Sequence, residues 1–234
     1  MPPAPLMAAL LLAERGRRMV ECGVAAMGWK NVMFDFDGTI VDSQSIFVSC
    51  ANELGAAFGY GPIGEVSMLR EKSTREVLTD VLGLSPEQVP RWVESFKDLL
   101  NRPMRWASTV KGMGEVLAAL RKNYRLGIVT SNTEETVRHI LARDGIGQVD
   151  FVWADAPALE KYRAIEGALA RYALSPEETI YVGDDVGDID ACRKAGIRII
   201  AVSWGFNSKG MLEGKGPDRL VETPGQLLAV LSPG

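Results

Sequence analysis

Five short apolar runs punctuate the chain: Val32 to Phe36, Leu126 to Thr130, Phe151 to Ala154, Thr179 to Val182 and Ile197 to Val202. They are rich in β-branched and aromatic residues and short enough for buried strands. Most of the stretches between them repeat with a helical period. In residues 112–122, Met113, Val116, Leu117 and Leu120 fall at i, i+3, i+4 and i+7. In residues 161–173, Tyr162, Ile165, Leu169 and Tyr172 share one stripe. Apolar strands alternating with amphipathic helices predict an α/β fold, a doubly wound Rossmann-like parallel sheet covered on both faces.

Start and stop signals agree with that pattern. Ser131 to Glu134 ("SNTE") has capping-box spacing ahead of a helix, and Gly145 stands where that helix stops. Ser175-Pro176-Glu177-Glu178 repeats the capping logic, and Asp188 to Ala195 closes with Gly196. One stretch breaks the alternation. From Ser45 to about Ser108 every pattern is helical, with another capping box at Ser85 to Gln88, and "NRPMRWAS" reads as the linker back. The expected organisation is therefore a core built from residues 29–44 and 109–234, with a helical cap at 45–108. Residues 1–28 read as an N-terminal extension without defensible chemistry. Its apolar run, Leu6 to Ala13, is too short to span a bilayer, and its arginines follow that run instead of preceding it. Either a short helix from Pro5 to about Val20 forms there, or translation starts at Met27 and the first 26 residues are not native.

Bulk properties narrow the function. A chain of 234 residues, 47% hydrophobic and 24% charged, buries a sizeable core. A formal charge of -4 with no basic run argues against nucleic acid, and no segment reads as a membrane anchor. Cys22, Cys50 and Cys192 are scattered, as in a reducing cytoplasm, and read as packing residues. His139, the only histidine, lies beside Val137 and Ile140 as a surface or packing residue; Trp92 and Phe96, at i and i+4, read as packing within the helical stretch.

Chemistry collects after the strands, where open parallel sheets bind ligands. The first run ends in Asp35-Phe36-Asp37-Gly38-Thr39, the second in Thr130-Ser131-Asn132. Lys161 follows the third, and Gly183-Asp184-Asp185 with Asp188 follows the fourth. Two aspartates at i and i+2 of a strand crowd like charges unless a cation or chemistry requires both. Asp35, Asp37, Asp184 and Asp188 together call for a cation, and an all-oxygen set suits Mg²⁺. Thr130 stands just before a helix start, either as a plain cap or as an anion site. Lys161 adds a point charge suited to phosphate or carboxylate. Asp185 either shares the metal's surroundings or faces solvent, and solvent is the reading taken. The expected ligands are magnesium and a small phosphorylated metabolite.

The order D-x-D-G-T, strand-end Thr, Lys, then G-D-x-x-x-D resembles the haloacid dehalogenase-like superfamily over about residues 29 to 230, and within it the phosphoglycolate-phosphatase-type members with a helical cap after the first motif. The segment "AVSWGFNSKGMLEGKGPDRLVETPGQLL" is similar to the tail of such phosphatases. The resemblance implies a Mg²⁺-dependent phosphatase of a small phosphomonoester. Asp35 would be the nucleophile and Asp37 the acid and base. Thr130, with the backbone near Ser131 and Asn132, would hold the phosphoryl oxygens, and Gly38 and Thr39 would lie along the substrate. Lys161 would offset charge. Asp184, Asp35 and the backbone carbonyl of Asp37 would ligate the metal, with Asp188 behind them. An Asp at position 37 separates phosphatases and phosphomutases from dehalogenases of the superfamily, which lack an acid there. The motif lysine departs from the usual G-K-P-x-P surroundings, so Lys194 and Lys209 are the fallbacks for Lys161. Arg70, near Lys72 and Arg75 in the cap, is the expected specificity residue. A β-phosphoglucomutase-like mutase, a pyrophosphatase and a non-catalytic interaction module are the alternatives. The expected state is a monomer or homodimer.

Overall fold

The computed structural model describes residues 28–64, 66–154, 156 and 160–232. The readings made for Pro5 to Val20, Cys22 and a start at Met27 lie outside them. Six strands form one parallel sheet: β1 (Asn31–Phe34), β4 (Arg125–Val129), β5 (Phe151–Trp153), β6 (Thr179–Gly183), β7 (Arg198–Val202) and β8 (Arg219–Val221). Their order is β5-β4-β1-β6-β7-β8. β1 sits between β4 and β6, with Val32 opposite Leu126 and Ile180. All four β1 residues are buried, as a central parallel strand requires.

Alternation along β1 divides the core. Val32 and Phe34 face one hydrophobic cluster, and Met33 faces the other. The first cluster takes in helices α5 (Met113–Leu120), α6 (Glu134–Arg143) and α10 (Pro224–Leu231). The second takes in α7 (Lys161–Arg171), α8 (Val186–Ala195) and α9 (Lys209–Lys215). Helices on both faces make the fold an α/β sandwich of the doubly wound kind, as the periodicity predicts.

Two elements too short for a periodicity argument lie at the front of the sheet. β2 (Val41–Asp42) pairs antiparallel with β3 (Ser108–Thr109). This two-residue ladder clamps together the ends of the helical insertion. Between them run α1 (Gln44–Phe58), a short turn α2 (Val66–Leu69), α3 (Thr74–Glu76) widening into a π-turn at Val77–Val81, and α4 (Gln88–Met104). Trp92 and Phe96 are buried and stacked with ring centroids 4.7 Å apart, so the packing reading of that pair holds.

Three capping expectations need correction. The helix after β4 begins at Glu134, capped by the Thr133 hydroxyl, which accepts from the Thr136 amide at 3.2 Å. Ser131 is not the cap, because the Thr130 hydroxyl takes the Asn132 N–H at 3.0 Å and closes a turn of its own first. At Ser85 the Gln88 side chain accepts the Ser85 amide at 2.9 Å, but α4 starts only at Gln88. Ser175 leads into a single 3₁₀ turn, Pro176–Glu178, and its hydroxyl bonds Glu177 instead of a backbone amide.

Candidate active site

The carboxyl ends of β1, β4 and β6 converge, and with the start of α7 they bring Asp35, Asp37, Asn132, Lys161, Asp184 and Asp188 together. Asp35 leaves β1 with its Oδ1 accepting from the Phe36 amide at 2.7 Å. Its Oδ2 faces the Lys161 ammonium at 2.6 Å. Lys161 opens α7 and also bonds Asp188 Oδ1. Lys161 is therefore the lysine at the carboxylates. Lys194, the first fallback, lies over the Tyr162 ring, and Lys209 pairs with Glu222.

Asp184 and Asp188 are each about 1% exposed. Asp184 Oδ1 accepts from the Thr39 hydroxyl at 2.7 Å, and its Oδ2 from the Phe206 amide at 2.6 Å. Gly38 has φ +74° where a Cβ would strike Asp184 and Phe206, so a side chain there is excluded twice over. Asp188 Oδ2 accepts from the amides of Asp184 and Asp185 at 3.1 and 3.2 Å, and thereby forms the second half of a capping box for α8. Asp185 supplies the first half through Gly187 and also accepts from the Thr74 hydroxyl at 3.1 Å. The solvent-facing reading of Asp185 is thus corrected. It caps one helix and tethers another, because a cap residue must turn its carboxylate back to the helix.

Asp37 lies on the turn after β1. Its Oδ2 accepts from the Asn132 side-chain amide, while its buried Oδ1 has no partner. Thr130 is fully buried behind this turn, accepting from the Asn132 backbone. Ser131 and Asn132 line the cavity above the carboxylates; Thr130, Gly38 and Thr39 stand behind its wall. Arg70 borders the cavity, but its guanidinium donates to the carbonyls of Ser203 and Asn207 at 2.8 and 3.4 Å.

The electrostatics explain what such a site needs. Burial pushes Asp35 up to about 7; the Lys161 charge opposes the rise, and Asp188 and Asp37 add to it. Burial likewise lifts Asp37 to about 6, against Ser43, Lys161 and Asn132. Burial, with Asp35 and Asp188 beside it, drives Asp184 well above the carboxylate range. For Lys161, burial works against the charge, but Asp188 and Asp35 outweigh it and hold the ammonium well above its usual value. One ammonium among four carboxylates leaves buried negative charge uncompensated. Asp35, Asp184 and Asp188 offer oxygens within 4.8 Å of one another. That set fits a hard divalent cation.

Two residues that sequence reasoning missed sit after β7. The Phe206 amide holds Asp184. The Asn207 side chain accepts from the Val186 amide at 2.8 Å and donates to the carbonyls of Arg70 and Lys72 at 3.2 and 2.8 Å. Their signal was present: the rule of looking beyond each strand end, applied to the fifth run, lands on Ser203 to Asn207.

A profile of haloacid dehalogenase-like hydrolases matches residues 32–202. The chain belongs to that family. It is similar to a phosphoglycolate phosphatase of Synechococcus elongatus, 37% identical over 205 residues that span 86% of this chain and 96% of the relative. It is also similar to an N-acetylmuramic acid 6-phosphate phosphatase of Pseudomonas aeruginosa, 28% identical over 88% of this chain and 96% of that one. In structure it resembles a haloacid dehalogenase-like hydrolase from Streptococcus pneumoniae, with a TM-score of 0.73 and 24% identity over 88% of this chain and 99% of that one. The family resemblance, the fold class and the reading as an enzyme of this family therefore hold. Among the described residues no helix is long and apolar enough to cross a membrane.

Proposed function

We propose that this protein is a Mg²⁺-dependent phosphatase that hydrolyses a small, phosphoglycolate-like phosphomonoester through an aspartyl-phosphate. The observation that carries the reading is Asp35, held at 2.6 Å by Lys161 beside two further buried carboxylates, with a second acid two residues on. An Asp35 carboxylate oxygen attacks phosphorus as the bond to the leaving oxygen breaks. Asp37, pushed up to about 6, delivers its proton to the departing alkoxide. Asp37 then takes a proton from water, the water oxygen attacks phosphorus, and the bond to Asp35 breaks, releasing phosphate. Asn132 aims Asp37 throughout. Ser131 lies where a backbone donor meets the phosphoryl oxygens, with the Asn132 amide held by the Thr130 hydroxyl that braces the turn. Asp35, Asp184 and the Asp37 backbone carbonyl would hold the ion, with Asp188 fixing Lys161 behind them. When bound, Mg²⁺ neutralises charge on the transferring group. Residues 45–108 act as a cap over the site. Buried free Cys50 and Cys192 fit a cytoplasmic enzyme.

The test is phosphate release from a panel of small phosphomonoesters, with Mg²⁺ or EDTA, by wild type and Asp35→Asn. Metal-dependent release lost by at least about 10³-fold in Asp35→Asn is the expected result. Metal-independent release, or release that survives Asp35→Asn, would overturn the mechanism. Stable phosphorylation of Asp35 with slow hydrolysis would move the assignment to a mutase.

A further inference from the structure

The cavity above the carboxylates is larger than a two-carbon phosphomonoester needs. Its volume is about 560 Å³, and its wall is predominantly apolar. Sites of about 300–1,000 Å³ hold drug-sized ligands. Part of that wall comes from α4, where Trp92, Phe96 and Leu100 recur every fourth residue and are buried. Phe47 meets Phe96 edge-on at 5.2 Å. The Trp92 ring is fixed by its Nε1 donating to the Tyr60 hydroxyl at 2.8 Å, and that hydroxyl donates to the Ala51 carbonyl at 2.6 Å. The surface is a rigid aromatic platform.

One position further round the helix, Val93, Lys97 and Asn101 also line the cavity. A helix row facing an apolar interior is expected to be apolar. Lys97 and the exposed Asn101 break the row. The Lys97 side chain is half-buried, and among the described residues its ammonium makes no hydrogen bond or ion pair. A lysine whose stem lies along an apolar wall, with its ammonium uncommitted, is placed to meet an anionic group of a ligand in that cavity. Arg70, the residue expected to read the substrate, is already committed to the carbonyls of Ser203 and Asn207.

We infer that Lys97 is a specificity-determining residue, pairing with a carboxylate at the far end of an apolar spacer in the leaving group, while the spacer lies on the Trp92–Phe96 platform. The substrate class thus keeps the carboxylate of a phosphoglycolate-like phosphomonoester and sets it further from the phosphate. The inference rests on the phosphatase reading, which places the phosphate at Asp35.

Calorimetric binding of non-hydrolysable phosphonates in Mg²⁺ buffer tests it without turnover. The probes are 4-(phosphonomethyl)benzoate, benzylphosphonate, which lacks the carboxylate, and phosphonoacetate, which lacks the spacer. Wild type is expected to bind the first at least about tenfold tighter than either of the others, the scale of one charge-assisted contact. In Lys97→Met the advantage of the carboxylate should fall to about twofold or less, with benzylphosphonate affinity unchanged; Lys97→Arg should keep the advantage. A wild type that gains nothing from the carboxylate or the spacer overturns the inference, and so does a preference that survives Lys97→Met. If the preference behaves as expected but no phosphomonoester is hydrolysed, the phosphatase reading fails and the Lys97 assignment stands.

Discussion

At the scale of single residues the site is a problem in charge. Asp35 and Asp37 lie two positions apart, yet they meet different surroundings: an ammonium for one, a side-chain amide for the other. That difference suits two like groups to the two roles proposed for them. Replacing Asp37 by Asn keeps the shape and removes the proton. Turnover of an alkyl phosphomonoester should fall by about 10²–10⁴-fold, the usual worth of general acid–base catalysis. With p-nitrophenyl phosphate the first step should suffer far less, because nitrophenolate departs without a proton. Parallel single-turnover rates on the two substrates check this, and an equal loss on both would remove Asp37 as the acid. The residues proposed for these roles were legible from sequence, because strand-end position alone places them. Their supports were not. Thr39 reads as a substrate contact, yet its hydroxyl is turned onto Asp184. The strand-end rule reaches Phe206 after β7, but not the carboxylate that its amide holds.

At the scale of elements, the strands and longer helices follow from periodicity, because burial on a sheet enforces it. What periodicity missed is short or local. β2 and β3 have two residues each, and β8 is three residues with an exposed first position. The cap lies at Thr133 and not at Ser131, because the Thr130 hydroxyl closes a turn on the Asn132 amide and the helix begins only after it, with Thr133 capping the Thr136 amide. The docking of the helical insertion was equally hidden. The Asn207 side chain ties the carbonyls of Arg70 and Lys72 to the start of α8, and Thr74 reaches Asp185. Asn207→Ala would leave the buried Val186 amide without its acceptor, at a cost of about 1–3 kcal/mol. The expected signs are a lower Tm and faster amide exchange across residues 69–74, with a raised KM. Unchanged exchange in that segment would show that the insertion is held elsewhere.

At the scale of the whole molecule, the buried carboxylates link stability to pH. Asp35 near 7 and Asp37 near 6 sit above the unfolded value of about 3.9. Between about pH 4 and pH 7 the folded state therefore holds more protons than the unfolded one, and stability falls as pH rises through that window. The metal-free protein should lose several degrees of Tm between pH 5 and pH 8, since about 1 kcal/mol moves Tm by about 2–4 °C at this size. Magnesium should restore more at pH 8 than at pH 5, because it binds the ionised carboxylates of the folded state alone. A Tm in EDTA that ignores pH, read by scanning calorimetry, would contradict this.

The order of the sheet also bears on how the chain is made. The strand that carries Asp35 leaves the ribosome first, but its partners are Arg125–Val129 and Thr179–Gly183. The insertion has mostly local contacts, so its helices can form while β1 waits with both edges bare. Synthesis must pass Gly183 before that strand is enclosed. Until then the nascent chain carries an apolar, unpaired strand next to Asp35, which makes this interval the one in which a chaperone, or a neighbouring chain, competes for it.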